Sequence, residues 1–136
     1  MNNKKIREGN KLIAIFMGLK FMGVDIHGFS GDVYSLYDSR YESNYLCCCN
    51  PESMEYHSSW HWLMPVIEKI ESITMGTIIP VFEVVIGHKR CIIESHPQWD
   101  YHGELYSDIT IRGDSKIKST WLAIIEFIKW YNKQKS

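Results

Sequence analysis

The C-terminal segment of this chain carries its strongest folding signal. Its large apolar side chains recur at spacings of four, three, four and three residues: Ile117, Trp121, Ile124, Ile128 and Tyr131. This spacing places all of them on one face of an α-helix, which repeats every 3.6 residues. The pattern therefore predicts an amphipathic helix over residues 115–131, capped at its start by Asp114 or Ser115.

Two further segments show helical spacing. The first covers residues 3–17 and is followed by Gly18, which suits the left-handed conformation that often ends a helix. The second follows a capping serine, Ser58 or Ser59, and its Glu71 is expected to face water. Pro65 is tolerated only near the start of a helix, so regular geometry is expected from about residue 61. The predicted buried stripe of this second helix consists of Leu63, Met64, Ile67 and Ile70.

Three strand-like runs lie between the second and third helices, at residues 78–86, 90–94 and 104–112. The connection at residues 87–89 has the length and the glycine of a hairpin turn. Strands joined in this way form an antiparallel meander.

Residues 19–57 are punctuated by glycine, aspartate and asparagine, and we expect a variable loop or a small hairpin insert in which residues 33–37 pair with 45–49. The predicted order is α, variable loop or hairpin, α, βββ, α. It indicates an α+β fold in which a three- to four-stranded antiparallel meander packs with about three helices.

Composition narrows the functional classes. The 136 residues suit one domain, 1–136, with a real hydrophobic core. A net charge of −1 provides no global basic field, so nucleic acid is not the expected partner.

No apolar run approaches the roughly 20 residues that span a bilayer, and no signal peptide is recognised, so we expect a cytoplasmic protein without a membrane partner. The four cysteines are expected to be free thiols.

Three sets of residues carry a resemblance to a known group: 8–14 with 16–18, 56–60 running on through 63–66 to 68–71, and 115–118 leading to 126–132. They resemble small uncharacterised phage- and prophage-associated bacterial proteins, and the layout is similar to that of the phage ABA sandwich domain, in which helices flank a sheet. His61 stands where an acidic residue is expected, and residues 22–55 match nothing in that group. The resemblance implies an accessory protein of a mobile element in the cytoplasm of a bacterial host cell. It brings no catalytic residues with it.

The richest polar and aromatic cluster is the connector 95–103. An ordinary loop is the favoured interpretation. Alternatively, its side chains could line a pocket for a planar ligand, and with Glu104 they could form a general acid–base site. Two of the arginines Arg40, Arg90 and Arg112, if they converged near this loop, would favour a phosphate or a carboxylate. Surface ion pairs with the many carboxylates of the chain are the favoured interpretation. The ligand-binding residues predicted from the sequence are Trp60, His61, Arg90, His96, Trp99, Asp100 and His102.

Other sequence features are better explained by structural roles than by functional ones. His57 and His61 have the spacing of a metal-binding pair, but no third ligand is evident and a capping or surface pair is the favoured interpretation. One of Trp60 and Trp62 is expected to pack in the core, while an exposed one could stack on a base or a partner. The run of residues 47–49 is expected to bury one or two cysteines along a strand. We therefore predict no metal, no cofactor and no catalytic residue.

These observations favour a non-enzymatic binding protein of a phage or mobile element, in a specific form one that sequesters a small nucleotide-like immune signal of the host. The alternative is a protein–protein inhibitor of a host enzyme that uses exposed tyrosines as anchors. A small hydrolase that uses the histidines is the third hypothesis, and a homodimer is compatible with each. The tyrosines proposed as anchors are Tyr34, Tyr37, Tyr41 and Tyr45.

Overall fold

The computed structural model describes residues 2–25, 31–37, 45–49, 51, 53–76, 79–95 and 106–134. The elements in chain order are α1 Asn3–Phe16, β1 Lys20–Val24, β2 Asp32–Tyr37, β3 Tyr45–Cys49, α2 Trp60–Glu71, β4 Phe82–Ile86, β5 Arg90–Ser95, β6 Ile109–Arg112 and α3 Lys116–Gln134. The predicted α+β class and element order are confirmed. The chain divides into two compact units, residues 1–57 and 58–136, and the prediction of one domain over 1–136 stays a prediction.

Helix α1 of the first unit is closed at both ends by local hydrogen bonds. The Asn2 side chain accepts a hydrogen bond from the Lys5 amide at 2.8 Å and caps the start. At the other end Gly18 has φ +93°, and the amide of Leu19 donates to the carbonyl of Ala14. This is a Schellman arrangement, which confirms Gly18 as the left-handed residue that ends the helix.

The first unit also contains an antiparallel sheet in the order β1-β2-β3. The predicted pairing of residues 33–37 with 45–49 is confirmed by β2 and β3, whereas β1 was not predicted. A bulge between Phe21 and Gly23 shifts the register of β1. At the base of the β1–β2 connection, Asp25 and Gly31 are joined by two hydrogen bonds, one from each amide.

The second unit contains the predicted meander, in the order β4-β5-β6 with antiparallel pairing throughout. The turn at residues 87–89 is closed by the Gly87 amide, which donates to the Arg90 carbonyl at 2.7 Å. The strands are shorter than predicted: β4 begins at Phe82 and β6 at Ile109. Residue 78 and residues 104–105 lie outside the described residues.

Helix α2 differs from its prediction in three details. Met64 is 42% exposed, and Val66 is buried in its place, because positions 63, 66, 67 and 70 share one face while residue 64 lies about 100° around the axis. Glu71 does not simply face water, since its carboxylate accepts a hydrogen bond from the Val84 amide at 3.1 Å. Ser59 occupies the capping position, but its side chain forms no capping hydrogen bond.

Helix α3 covers the inner face of the second sheet. Ser115 is its capping residue, since the Ser115 hydroxyl accepts a hydrogen bond from the Lys118 amide. The predicted face is confirmed at its centre by the full burial of Trp121, Ile124 and Ile128. At one end of this core, aromatic rings pack edge-to-face and stacked. These rings belong to Phe82, Tyr106, Phe127, Trp130 and Tyr131.

None of the described helices is both long enough and apolar enough to cross a membrane.

Candidate functional site

The first unit contains a cleft of about 340 Å³ beside α1. Its volume falls at the lower end of the range typical of small-molecule sites, roughly 300–1,000 Å³. One wall is the polar face of α1, and the opposite side is formed by the start of β2 and by Pro51. The described residues that line this cleft are Arg7, Glu8, Lys11, Gly31, Asp32 and Pro51.

Helix geometry places two cations together at the wall of the cleft. Arg7 and Lys11 are four residues apart on α1, so their side chains lie one above the other on the same face. Both are exposed, because the opposite face of the helix is the one buried in the core of the unit. The buried residues of α1 are Gly9, Asn10, Ile13, Ala14 and Phe16.

The carboxylate of Asp32 lies near one of these cations, Lys11. The Lys11 ammonium nitrogen lies 3.9 Å from Asp32 Oδ2, and these side chains are 46% and 44% exposed. That separation exceeds hydrogen-bond length, so water screens the pair and its net stabilisation is small. A ligand with a stronger anionic group can therefore compete with Asp32 for Lys11.

The segment that supplies Pro51 is fastened to α1 by one buried side chain. The amide nitrogen of Asn10 lies 3.5 Å from the Pro51 carbonyl and 3.0 Å from the Met54 carbonyl. The same nitrogen lies 3.0 Å from His57 Nδ1. Because an amide nitrogen only donates, His57 Nδ1 is the acceptor in that contact. Asn10 thus fixes one wall of the cleft.

These groups suit an anionic ligand that also carries hydrogen-bond donors. The guanidinium of Arg7 offers a planar fork that pairs with two oxygens of a phosphate, and Lys11 adds a second positive charge. The carboxylates of Glu8 and Asp32 accept hydrogen bonds from hydroxyl or amino groups. The arrangement can bind a phosphate-bearing polar molecule.

The ligand-binding residues predicted from the sequence are only partly described. Trp60 is half-buried and His61 is exposed, both at the first turn of α2. Arg90 is exposed at the start of β5. The remaining four, His96, Trp99, Asp100 and His102, lie outside the described residues, and their role stays a prediction.

Arg90 and Arg112 do lie next to each other, but far from the start of the connector 95–103. Arg90 and Arg112 are direct cross-strand partners on β5 and β6. The loop begins after Ser95, at the other end of β5, about 17 Å from Arg90 at the rise of an extended strand. Arg40 lies outside the described residues.

The structure also bears on the tyrosines proposed as anchors, on the possible metal ligands and on the run of cysteines. Tyr34 is 2% exposed, so its proposed role as an exposed anchor is wrong; the side chains of Tyr37 and Tyr45, and all of Tyr41, lie outside the described residues. Among the described residues, no group of three potential metal ligands is found. The side chains of residues 47–49 also lie outside the described set, although β3 contains them.

Among the residues that the structure describes, two groups have raised pKa values, and both are buried in the second unit. Burial raises the pKa of Cys91 to about 11, and a hydrogen bond with Thr120 opposes that rise. Burial also raises the pKa of Tyr106, whose hydroxyl donates to the Ile93 carbonyl. Both groups remain protonated at neutral pH, and neither is among the residues that line the cleft.

No family model, curated protein or solved structure matches this chain. The function must therefore be argued from its own residues.

Sequence reasoning missed the cleft because its parts are far apart in the chain. The four-residue spacing of Arg7 and Lys11 was available, but it indicated only the solvated face of a helix. Nothing in the local sequence around Asp32 or Pro51 indicates that either approaches α1.

Proposed function

We propose that this protein is a non-enzymatic binding protein that holds a small, phosphate-bearing, nucleotide-like molecule in the cleft beside α1. The observation that carries the proposal is the placement of Arg7 and Lys11 on one face of α1, at the wall of a cleft of about 340 Å³. Two cations one helical turn apart on the same face are spaced to contact one phosphate group together.

The chemistry of the lining suits binding. The described lining residues are two cations, two carboxylates, a glycine and a proline, and the charged groups among them hold a polar ligand through ion pairs and hydrogen bonds. Sequestration requires complementarity between pocket and ligand but no reaction. In a phage or mobile element, the setting that the sequence resemblance implies, such a protein would withdraw a nucleotide-like immune signal from its receptor.

Calorimetric titration with adenosine monophosphate, and separately with inorganic phosphate, tests the proposal. We expect the mononucleotide to bind, and the double variant R7Q/K11Q to weaken that binding by about tenfold or more, since each tenfold step corresponds to about 1.4 kcal/mol. The matched control is K4Q/K5Q, which removes two charges from exposed positions of the same helix that do not line the cleft. Equal binding by both double variants, or none by the wild type, would overturn the site.

Native mass spectrometry distinguishes binding from catalysis. Protein incubated with host-cell lysate is expected to retain a mass of several hundred daltons that leaves on denaturation. The same mass in the untreated lysate shows that the ligand is released unchanged. A ligand recovered in a chemically altered form would instead favour the hydrolase hypothesis.

The alternative hypothesis, a protein–protein inhibitor, is tested by the same experiment. A recovered partner chain in the same spectrum would favour a protein–protein module over a small-molecule binder. Alanine substitution of Tyr37, Tyr41 and Tyr45 would then be expected to weaken capture of that partner. If the triple variant still captured the partner, these three tyrosines would not be the anchors.

A further inference from the structure

The outer face of the second sheet has a regular arrangement of charge. Along each strand the side chains alternate between the α3-covered face and the outer face. The outer positions of β5 are Arg90, Ile92 and Glu94, while Cys91 and Ile93 between them are fully buried. The outer face therefore changes from positive to apolar to negative along one strand.

Cross-strand pairing extends each of the two charged residues of β5 into a row of like charge, with a central row between them. Arg90 is paired with Arg112, and Glu94 is paired with Glu83. The apolar centre is Ile92, flanked on β4 and β6 by its cross-strand partners Val85 and Thr110. Exposed Lys89 in the hairpin turn and exposed Asp108 before β6 extend the positive and the negative rows respectively.

Both charged rows are unfavourable within a single copy of the chain. Like charges directly opposite each other on neighbouring strands destabilise a sheet. Within the part of the chain that the structure describes, no ion pair neutralises Arg90, Arg112, Glu83 or Glu94. Val85 is 38% exposed at the centre.

We infer that this face docks on the same face of a second copy of the chain. The two copies are related by a two-fold axis in the plane between their sheets. This axis runs perpendicular to the strands and passes over Ile92. Rotation about it stacks each strand of one copy on the same strand of the other copy, in the opposite direction. Arg90 and Glu94 are equidistant from Ile92 along β5, so Arg90 of one copy comes opposite Glu94 of the other. The rotation also sets Arg112 opposite Asp108, and Glu83 opposite the turn that contains Lys89.

This contact is self-complementary, as a two-fold interface must be. Each positive row meets a negative row, and the apolar centres meet each other, so the contact compensates both unfavourable rows at once. The alternative axis, parallel to the strands, would place arginine on arginine and glutamate on glutamate. The charge pattern therefore selects the antiparallel stacking.

The size of the face predicts a weak dimer. Three strands spaced about 4.8 Å apart, over five residues at about 3.3 Å each, make a patch of roughly 14 by 17 Å. That is much less than the roughly 800 Å² per partner of a standard stable interface. We therefore expect reversible association that is visible only at high protein concentration and weakens as salt screens the charges.

Sedimentation equilibrium of the full chain, over a range of concentrations at low salt, tests this inference through charge reversal. R90E/R112E makes the face negative at both ends, and E83K/E94K makes it positive at both ends. Each variant alone is expected to dimerise about tenfold or more weakly than the wild type. An equimolar mixture of the two is expected to regain association, because a negative face now meets a positive one.

Recovery in the mixture shows that the two faces meet, and it cannot arise from misfolding of either variant. The control variant K4E/K5E changes the net charge by the same amount as R90E/R112E, but on α1, and it is expected to dimerise like the wild type. A monomeric wild type at all concentrations, a dimer indifferent to both reversals, or a mixture that stays monomeric would each overturn the inference. These outcomes concern the second unit, so they are independent of the cleft proposal.

Discussion

The side-chain amide of Asn10 donates a hydrogen bond to the main-chain carbonyl of Met54 at 3.0 Å. Asn10 is fully buried on α1, and Met54 is fully buried in the segment that leads to His57. A single polar side chain thus joins two parts of the first unit that are distant in the sequence.

Asn10→Ala is expected to lower the free energy of unfolding by about 1–3 kcal/mol, because the buried carbonyl of Met54 loses its donor. Urea denaturation measures the change. The control is Lys4→Ala on the exposed face of the same helix, for which we expect a change within about 0.5 kcal/mol. An Asn10→Ala effect no larger than that of the control would contradict a role for this hydrogen bond.

Pro65 makes α2 less stable than its sequence otherwise permits. It lies in the interior of the helix, where it has no amide hydrogen to donate to the carbonyl of His61. Since its ring is exposed, Pro65→Ala removes no buried contact and restores the donor. We expect a gain of about 1–2 kcal/mol, after allowing for the greater freedom that alanine gives the unfolded chain.

Thermal unfolding of Pro65→Ala measures this gain as a higher Tm. The neighbouring exposed Met64→Ala serves as the control and is expected to leave Tm nearly unchanged. A lower Tm for Pro65→Ala would show that proline is required at this position for the packing of α2.

The loop before α3 requires glycine at position 113. A Cβ atom at Gly113 would lie 2.9 Å from Ser119 Oγ and 3.2 Å from the Ser119 amide nitrogen. Ser119 is fully buried and donates to the Ser115 carbonyl at 2.7 Å, so it is held in place. Gly113→Ala is therefore expected to destabilise the second unit by about 1–3 kcal/mol through overpacking.

A double-mutant cycle with Ser119→Ala checks this explanation. In the Ser119→Ala background, Gly113→Ala is expected to cost less, because the closest atom has been removed, but not zero, because the main-chain contacts persist. Equal costs in the two backgrounds would show that the hydroxyl contact is not the cause.

Burial of Cys91 predicts a loss of stability at high pH. The pKa of its thiol is raised from 9.0 to about 11 in the folded chain, so the folded state holds the proton more tightly than the unfolded state. The contribution of this group to stability is therefore fully present below about pH 9 and falls as the pH rises towards 11. Cys91→Ala is expected to flatten the pH dependence of the free energy of unfolding in that interval.

Alkylation followed by peptide mass spectrometry provides an independent measurement. At pH 8 the Cys91 peptide is expected to react with iodoacetamide only slowly in the native protein and rapidly in urea, since the thiolate is the reactive form. Rapid labelling of Cys91 in the native protein would contradict its burial.

The sequence by itself determined the elements whose signal is local. The spacing of Ile117, Trp121 and Ile124 predicts α3 because a helix repeats every 3.6 residues, and Gly18 predicts the end of α1 because few residues tolerate a positive φ. The turn at residues 87–89 likewise set the pairing of β4 with β5. Each of these features depends on residues close together in the chain, so the α+β class and the element order could be predicted.

Tertiary structure alone decided which of those residues meet. The cleft depends on Asp32 and Pro51 approaching Arg7 and Lys11, and no periodic pattern contains that information. The two rows of like charge depend on register, since Arg90 and Arg112 become neighbours only once β5 pairs with β6. Local sequence determines how the backbone bends, whereas the packing of distant segments determines which charges share a surface.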